Sequence, residues 1–315
     1  MSRRDTLRRR LRRRWKNRPG VLPWLLAAPQ RSAFRCLRLL PDRWILGLGD
    51  RVGRLTWLSR RRRELGRSHL GLALPCRTRE ERDRILKRSC GHLGRAAAEA
   101  MVLWRKHPPA RLVSRVAIGE GSLELLRRFR GRGAVVLQAH LGSVEMTSTV
   151  LAAHGFEPGT PMRLPRNHYL AQDLLRSRNS GDAEVLPRQG AVKRMLSRLR
   201  LGKAVVLTFD QNAHHKPIFV PWFGRLAATE RTPAALVLRT GAPVLVAWCV
   251  RQPGPQPWAF GLALLRQSSP RQASGERDLV ALTAAFHCAL QEVVLRHPEQ
   301  YLWIHDRYRS RPRAS

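Results

Sequence analysis

The sequence predicts an α/β fold, a layered structure with a central mostly parallel sheet flanked by helices, preceded by an all-helical membrane-associating region. After Gly131 and Gly133, short apolar runs typical of buried strands alternate with segments of helical period. The preceding part of the sequence carries helical signals alone. We therefore divide the chain into a basic arm (1–20), a helical membrane-associating region (21–115) and an α/β domain (116–315) that forms one continuous unit with the helical region.

The helical region opens with an apolar segment at residues 21–40 that prolines and arginines interrupt. A membrane-spanning helix needs about 20 mostly apolar residues, and a signal peptide needs an unbroken apolar run. The interrupted segment therefore predicts neither a spanning helix nor a signal peptide. We expect an amphipathic helix lying in a membrane interface, or else an ordinary surface helix. A second apolar stretch covers residues 44–58, and Thr78 with Glu81 forms a capping box that opens a helix reaching to about Trp104.

The α/β domain shows four short apolar runs that we interpret as buried strands. These are residues 134–138, 204–209, 242–250 and 260–265. Apolar residues with helical spacing predict helices near residues 192–199 and 279–293. Thr232 as N-cap, Pro233 at the first helical position and Gly241 at the end predict another helix between them.

The charge of the chain is strongly positive: its 315 residues include 59 Lys and Arg against 22 Asp and Glu, a net charge of +37. Ten of the 59 basic residues lie in the arm. The other 49 lie in the rest of the chain, so the positive excess is not confined to the arm. Such a charge predicts a polyanionic partner, either nucleic acid, an anionic membrane, a phosphorylated lipid or an acidic protein. Nucleic acid is disfavoured, because the basic runs lack interleaved aromatic residues and no binding module is recognisable.

Cofactor and metal motifs are absent from the sequence. It has no P-loop, no G-x-G-x-x-G run, no H-E-x-x-H pair and no G-x-S-x-G elbow. The five cysteines are scattered without a C-x-x-C pair, which predicts a reducing compartment with neither disulfides nor a zinc ribbon. We therefore expect chemistry without a cofactor or a metal.

The candidate catalytic pair is His140 and Glu145. His140 follows the strand predicted at 134–138, and Gly142 allows a tight turn that can place Glu145 in the first turn of the next helix. Ligands bind at the carboxyl ends of strands in such sheets. A carboxylate behind an imidazole is the equipment of a general base that deprotonates a hydroxyl. The alternative is structural, a loop histidine and a carboxylate favoured by a helix N-terminus.

Several further segments occur in a fixed order with this H-x-x-x-x-E motif. They are Asp210-Gln211, the segment 219–229, the segment 238–243 and the closing segment 297–307. In this order the chain resembles, from about residue 35 to 312, the late acyltransferases of lipid A biosynthesis, the lauroyl and myristoyl acyltransferases. These belong to the lysophospholipid acyltransferase superfamily.

The resemblance implies that residues 116–315 form an acyltransferase domain at the cytoplasmic face of the inner membrane, held peripherally or monotopically. The enzyme would move a fatty acyl chain from acyl carrier protein to a hydroxyl of a phosphorylated glycolipid, the lipid A precursor, on an anionic membrane surface. By the same resemblance, His140 is the base and Glu145 orients and polarises it, while Arg163 holds a phosphate or stabilises the thioester oxyanion. The implied substrate-binding residues are Arg163, Asn167, Asp210, Gln211 and Arg225.

The chain departs from the family pattern at three positions around the expected substrate pocket, His168, Thr232 and Ala235. These departures leave the acceptor open. The alternative acceptors are a lysophospholipid, an amino-acid lipid or another glycolipid. A basic nucleic-acid-binding protein is the distant alternative.

Overall fold

The computed structural model describes residues 18–178, 183–187, 190–265 and 276–312. Nearly all of the predicted basic arm lies outside these ranges. Among the described residues, the chain is helical up to Val113, as predicted. The helices are α1 (Val21–Leu37), α2 (Asp42–Arg54), a 3₁₀ turn (Leu55–Leu58), α3 (Arg60–Ala73), α4 (Arg79–Ala98), a π-helical segment (Glu99–Leu103), α5 (Trp104–Lys106) and α6 (Pro109–Val113).

The predicted capping box begins α4. The Thr78 hydroxyl accepts a hydrogen bond from the Glu81 backbone at 3.2 Å, and the Glu81 carboxylate accepts one from the Thr78 backbone at 2.8 Å. The helix continues through the π-helical segment to Lys106, close to the predicted end.

The α/β part alternates strands with helices, and the four predicted strands are all present. Its elements are β1 (Val116–Ile118), α7 (Glu120–Phe129), β2 (Val135–Gln138), α8 (Val144–Ala153), β3 (Gly159–Met162), α9 (His168–Arg178), β4 (Glu184–Pro187), α10 (Ala191–Arg200), β5 (Val205–Thr208), β6 (Ile218–Trp222), β7 (Arg225–Thr229), α11 (Thr232–Thr240), β8 (Val244–Arg251), β9 (Trp258–Leu264), α12 (Glu276–Arg296) and a 3₁₀ turn (Pro298–Gln300). One boundary differs from the prediction, because Thr232 is the first residue of α11 and the N-cap is Arg231. Gly241 ends that helix in the left-handed conformation, as expected.

Seven strands form the central sheet in the order β1-β9-β8-β2-β5-β3-β4. Every neighbouring pair is parallel except β8 with β9, so the sheet is mostly parallel, as predicted. Strands β6 and β7 form a separate antiparallel hairpin.

The sheet is buried on both faces, and the N-terminal helices contribute to both sides. Val135 and Leu137 belong to one apolar cluster together with Leu86 of α4. Val136, between them, belongs to the opposite cluster together with Ile45 of α2. The helical region therefore packs into the same two cores as the α/β region.

Close packing of α2 on α4 depends on glycine. A Cβ atom on Gly94 would lie 1.9 Å from the carbonyl oxygen of Gly49, so no larger residue fits. The opposite face of α2 and the following 3₁₀ turn is apolar and exposed, with Trp44, Leu48 and Val52 along it. We call this surface, formed by Trp44, Leu48, Val52 and Leu55, the apolar face of α2.

Among the described residues, one helix is long and apolar enough to cross a membrane by length and composition. It is the part of α12 from Asp278 to Arg296. Phe286, Leu290 and Val294 of this helix are buried in the core. Its apolar composition thus matches a helix that packs against the sheet.

Candidate functional site

The site forms where β2 and β5 end side by side. The two strands pair in parallel, with Val135 beside Val205 and Gln138 beside Thr208. Two residues beyond each strand lie His140 and Asp210. The in-register pairing therefore brings a histidine and a carboxylate together at the carboxyl edge of the sheet, where ligands bind in such folds.

Asp210 holds His140 through two hydrogen bonds. One carboxylate oxygen lies 2.7 Å from the ring Nδ1, and the other accepts from the His140 backbone N–H at 2.9 Å. An ionised carboxylate can only accept hydrogen bonds, so Nδ1 carries the proton and Nε2 is left as the basic atom. The amide nitrogen of Gln211 lies 3.1 Å from Nε2, a distance at which it donates to that lone pair.

The pKa of His140 is raised and that of Asp210 is lowered, because in each case the charge and hydrogen bonding of the partner together outweigh the effect of burial. Burial would lower the pKa of His140, but the charge and hydrogen bond of Asp210 raise it above its ordinary value. Burial would raise the pKa of Asp210, but the His140 charge and hydrogen bonds lower it to about 2. The carboxylate thus stays ionised and stabilises the imidazolium.

Glu145 lies in the first turn of α8, as predicted, and its hydrogen-bonded partner is Arg178 rather than His140. Its carboxylate forms an ion pair with Arg178 at the end of α9. Burial raises the pKa of Glu145 above its ordinary value, although Arg178 opposes that shift. The carboxylate bonded to Nδ1 comes from Asp210 on the neighbouring strand, while the charge of Glu145 contributes to the raised pKa of His140. That Glu145 polarises His140 during catalysis stays a prediction.

Of the five predicted substrate-binding residues, Asp210 bonds His140, and the other four separate into two groups. Gln211 and Arg163 line the large cavity beside His140, and the Arg163 side chain is exposed there. Asn167 instead caps α9, accepting from the Tyr169 backbone at 3.0 Å and donating to the Pro23 carbonyl at 2.7 Å. Arg225 begins β7 and stacks its guanidinium 4.9 Å from the ring centre of Tyr308. Neither Asn167 nor Arg225 lines the cavity, so the structure does not bring them to the site.

Three residues of the closing segment contribute to the site without having been predicted individually. Arg307, which is 2% exposed, donates to the Gln211 carbonyl at 3.1 Å and to the Thr229 hydroxyl at 2.6 Å. His305 accepts from the Asn212 backbone at 3.2 Å. Tyr301 is buried beside Asp210, and burial together with that carboxylate raises its pKa well above the ordinary value. The segment 297–307 had been noted as part of the motif order, but nothing in it indicated contact with Asp210.

A cavity of about 1410 Å³ opens beside the His140 ring. It is larger than the roughly 300–1,000 Å³ of ordinary small-molecule pockets. His140, Glu145 and Arg178 face one part of it. Small and apolar side chains supply much of the remaining wall, among them Leu93, Ala96, Ala100, Ala152, Ala153, Val185, Val192 and Met195. The cavity can hold an extended apolar chain next to a basic imidazole.

Within the ranges that the structure describes, no group of three or more metal-ligating side chains is brought together.

The chain matches the model of the bacterial lipid A biosynthesis acyltransferase family over residues 22–310. It is 26% identical over 279 residues to the lipid A biosynthesis palmitoleoyltransferase of Escherichia coli K12, covering 87% of each chain. It is 26% identical over 283 residues to the lipid A biosynthesis lauroyltransferase of the same organism, covering 87% of this chain and 88% of the relative. A lipid A biosynthesis acyltransferase of Haemophilus influenzae is 21% identical over 291 residues, covering 89% of each.

The family match spans nearly all of the chain, and it includes both the sheet edge that carries His140 and Asp210 and the closing segment around them. The chain therefore belongs to the bacterial lipid A biosynthesis acyltransferase family, and the protein is an acyltransferase.

Proposed function

We propose that the protein transfers a fatty acyl chain from acyl carrier protein to a hydroxyl of a lipid A precursor, with His140 as general base. The observation that carries this proposal is the position of the His140 ring at the wall of the cavity. Its Nδ1 is bonded to the buried Asp210, and its Nε2 is the unprotonated, basic nitrogen. An imidazole held in this way accepts a proton at Nε2 while the carboxylate stabilises the charge that forms.

The reaction follows from that geometry. The acceptor hydroxyl takes the place of the Gln211 amide at Nε2, and its oxygen attacks the thioester carbonyl carbon as its proton moves to His140. The tetrahedral oxyanion collapses, the C–S bond breaks, and the imidazolium returns the proton to the departing thiolate. Asp210 remains ionised throughout, because its pKa is about 2.

Arginines supply the contacts for anionic substrate groups. Arg163 is exposed at the cavity wall, and we assign it the phosphate of the acceptor. Arg178 lies in the same cavity and is held by Glu145. Acyl carrier protein is acidic, so the strongly basic surface of this chain favours its approach.

The site of action is the surface of the inner membrane on its cytoplasmic side, with the chain bound peripherally or monotopically. The apolar face of α2 supports this, since Trp44 is 61% exposed and Leu55 60% exposed in a contiguous row. Exposed apolar patches of this kind mark membrane or protein interaction sites. Arg43 and Arg51 are exposed on the same helix and can reach anionic headgroups.

The reaction is tested with purified protein, acyl carrier protein charged with a labelled acyl chain, and a lipid A precursor in mixed micelles. We expect H140A to lose at least a thousandfold in kcat. The matched control is H154A, which replaces a histidine at the end of α8 that does not line the cavity. Acylation by H140A at the wild-type rate would refute the general-base role. Acylation of a lysophospholipid but not of the lipid A precursor would overturn the proposed acceptor.

Membrane binding is tested by flotation with phosphatidylcholine vesicles that contain or lack phosphatidylglycerol. The double variant W44E/L48E places two charges on the apolar face of α2, so it should sediment while the wild type floats with anionic vesicles. L201E is the control, since Leu201 is 68% exposed but lies after α10, away from that face. Equal flotation of all three proteins would exclude this face as the membrane contact.

A further inference from the structure

A buried ion pair lies beneath the turn that follows His140. Glu99, at the start of the π-helical segment, is 1% exposed, and Arg251 at the end of β8 binds it through two hydrogen bonds of 2.8 and 2.6 Å. The Trp258 indole also donates to Glu99, at 3.2 Å, and so does the Ser143 hydroxyl, at 2.7 Å. One buried carboxylate thus receives four hydrogen bonds from three different elements.

The ion pair contacts at two points the backbone turn formed by residues 141–143, which we call the catalytic turn. Ser143 belongs to it, and Arg251 also donates to the Gly142 carbonyl at 3.3 Å. The turn has little room to move elsewhere, because the Ser143 backbone N–H donates to the Cys249 carbonyl at 2.7 Å. Gly142 has a φ of 61°, and a Cβ there would lie 2.2 Å from that same carbonyl oxygen.

Gln300 joins the same network from the other side. Its side chain bonds the backbone of Arg251 in both directions, at 2.9 and 2.8 Å. Its backbone carbonyl accepts from the Gly142 N–H at 3.0 Å. Gln300 directly precedes Tyr301, which is buried beside Asp210. The network therefore adjoins the His140 and Asp210 pair on the chain after His140 and on the chain before Tyr301, and its hydrogen bonds do not involve either side chain of the pair.

Stability alone is a weak reason for such a pair. Removing two charges from water costs several kcal/mol per ion, and apolar residues of similar volume often stabilise a fold as well or better. Glu99 also occupies a π-helical segment, a distortion that occurs frequently at functional sites. Neither Glu99 nor Arg251 lines the cavity, so direct contact with substrate does not explain them.

We propose that Glu99 and Arg251 are positioning residues for acyl transfer, which fix the catalytic turn so that His140 presents Nε2 to the cavity while Nδ1 stays bonded to Asp210. The inference rests on the proposed function, since it takes His140 as the base. It adds a role for two residues that lie outside the H-x-x-x-x-E motif and the cavity wall.

The test removes the hydrogen bond that joins the ion pair to the catalytic turn, from the Ser143 hydroxyl to Glu99. S143A removes the hydroxyl contact and leaves Glu99 with three donors, so the pair remains compensated and the variant should fold. W258F is the matched control, because it removes a different donor from the same carboxylate, and the hydrogen bond of that donor goes to Glu99 and not to the turn. E99Q is a further variant, although breaking a buried pair can cost about 3–5 kcal/mol and prevent folding.

We expect S143A to lower kcat about tenfold, to leave KM for both substrates within twofold, and to move the acid limb of the kcat profile to lower pH. W258F should keep the wild-type kcat and pH profile even if its melting temperature falls. A wild-type kcat and profile in S143A would overturn the proposal. A raised KM with unchanged kcat would overturn it as well, because Ser143 would then be contacting substrate.

A spectroscopic measurement separates this inference from the proposed function. The His140 Nδ1 proton, bonded to Asp210, should give a low-field ¹H resonance that shifts in S143A and not in W258F. If the wild type transfers no acyl chain, the proposed function fails, and this resonance still decides whether the ion pair positions the ring. An unchanged resonance in S143A would refute the positioning role.

Discussion

Replacing Asp210 by asparagine tests the central contact of the site. The native carboxylate accepts two hydrogen bonds from His140, one from the backbone N–H and one from ring Nδ1. Asparagine has one oxygen and one NH₂ group, so it can accept only one of them. If its oxygen keeps the backbone bond, its NH₂ faces Nδ1 and donates to it. The ring must then carry its proton on Nε2, and the basic atom is lost.

The size of the effect follows from these contacts. A hydrogen bond to a charged group contributes about 1.5–3 kcal/mol, and the wrong tautomer adds to its loss. In the serine protease triad the same exchange lowers kcat by about 10⁴. We therefore expect D210N to lower kcat by about 10³ to 10⁴, or roughly 4–5.5 kcal/mol of transition-state stabilisation. KM should change little, because Asp210 does not line the large cavity.

The assay is steady-state acyl transfer from acyl carrier protein, with kcat and KM measured separately across pH. D83N is the control, since Asp83 pairs with Arg67 between α3 and α4, away from the cavity. The control should keep its kcat within twofold. A D210N enzyme that retained more than a tenth of the wild-type kcat would show that Asp210 does not set the tautomer of His140.

Three further results are expected. Because Asp210 raises the pKa of His140 and the base must be neutral, the wild-type rate should rise with pH through a value above 6.5, and an acid limb ending below 6.5 in a pH–rate profile would contradict the assignment. G142A should lose about 2 kcal/mol or more in urea unfolding, since it combines a positive φ with a 2.2 Å contact, whereas G121A, with open space around it, should not be destabilised. Burial would raise the pKa of Asp42, but hydrogen bonds from His107 and Lys106 lower it to about 2. Because solvent screens this partly exposed group, the lowered pKa stabilises the fold by about 1 kcal/mol above pH 3.8, and this is lost as pH falls through about 2. In D42N the unfolding free energy should be lower at pH 7 and should fall less steeply between pH 4 and 2; an unchanged curve would exclude Asp42 as the source.

The strands of the site were predictable because the sequence repeats a pattern. In both strands three apolar residues are followed, after two further residues, by a side chain of the site. The segments are Val135-Val-Leu-Gln-Ala-His140 and Val205-Val-Leu-Thr-Phe-Asp210. Burial on both faces of a parallel sheet requires such runs. The hairpin of β6 and β7 was not predicted as strands. Pro221 interrupts the first strand, although Ile218, Val220 and Trp222 alternate inward as a strand face should.

The partner of His140 was less accessible to sequence reasoning. Glu145 lies five residues away in sequence, and a glycine turn made contact plausible. Asp210 lies 70 residues away and reaches the ring only because β5 is the neighbour of β2 in the sheet. Strand order depends on how the helices pack over each face, which a local pattern does not encode. For the same reason, the contact of Asn167 with the Pro23 carbonyl could not be foreseen.

The two carboxylates at this sheet edge have different environments, and these indicate different tasks. Asp210 is buried among donors that lower its pKa to about 2, so it is a fixed negative charge behind the ring. Burial raises the pKa of Glu145, and its contact is Arg178. Titratable groups whose pKa values are pushed apart mark separate roles in catalysis. The H-x-x-x-x-E spacing places the Glu145 carboxylate at the cavity wall, where it pairs with Arg178. We propose that Glu145 holds Arg178 in place there, so that the guanidinium can stabilise negative charge that develops on a bound substrate.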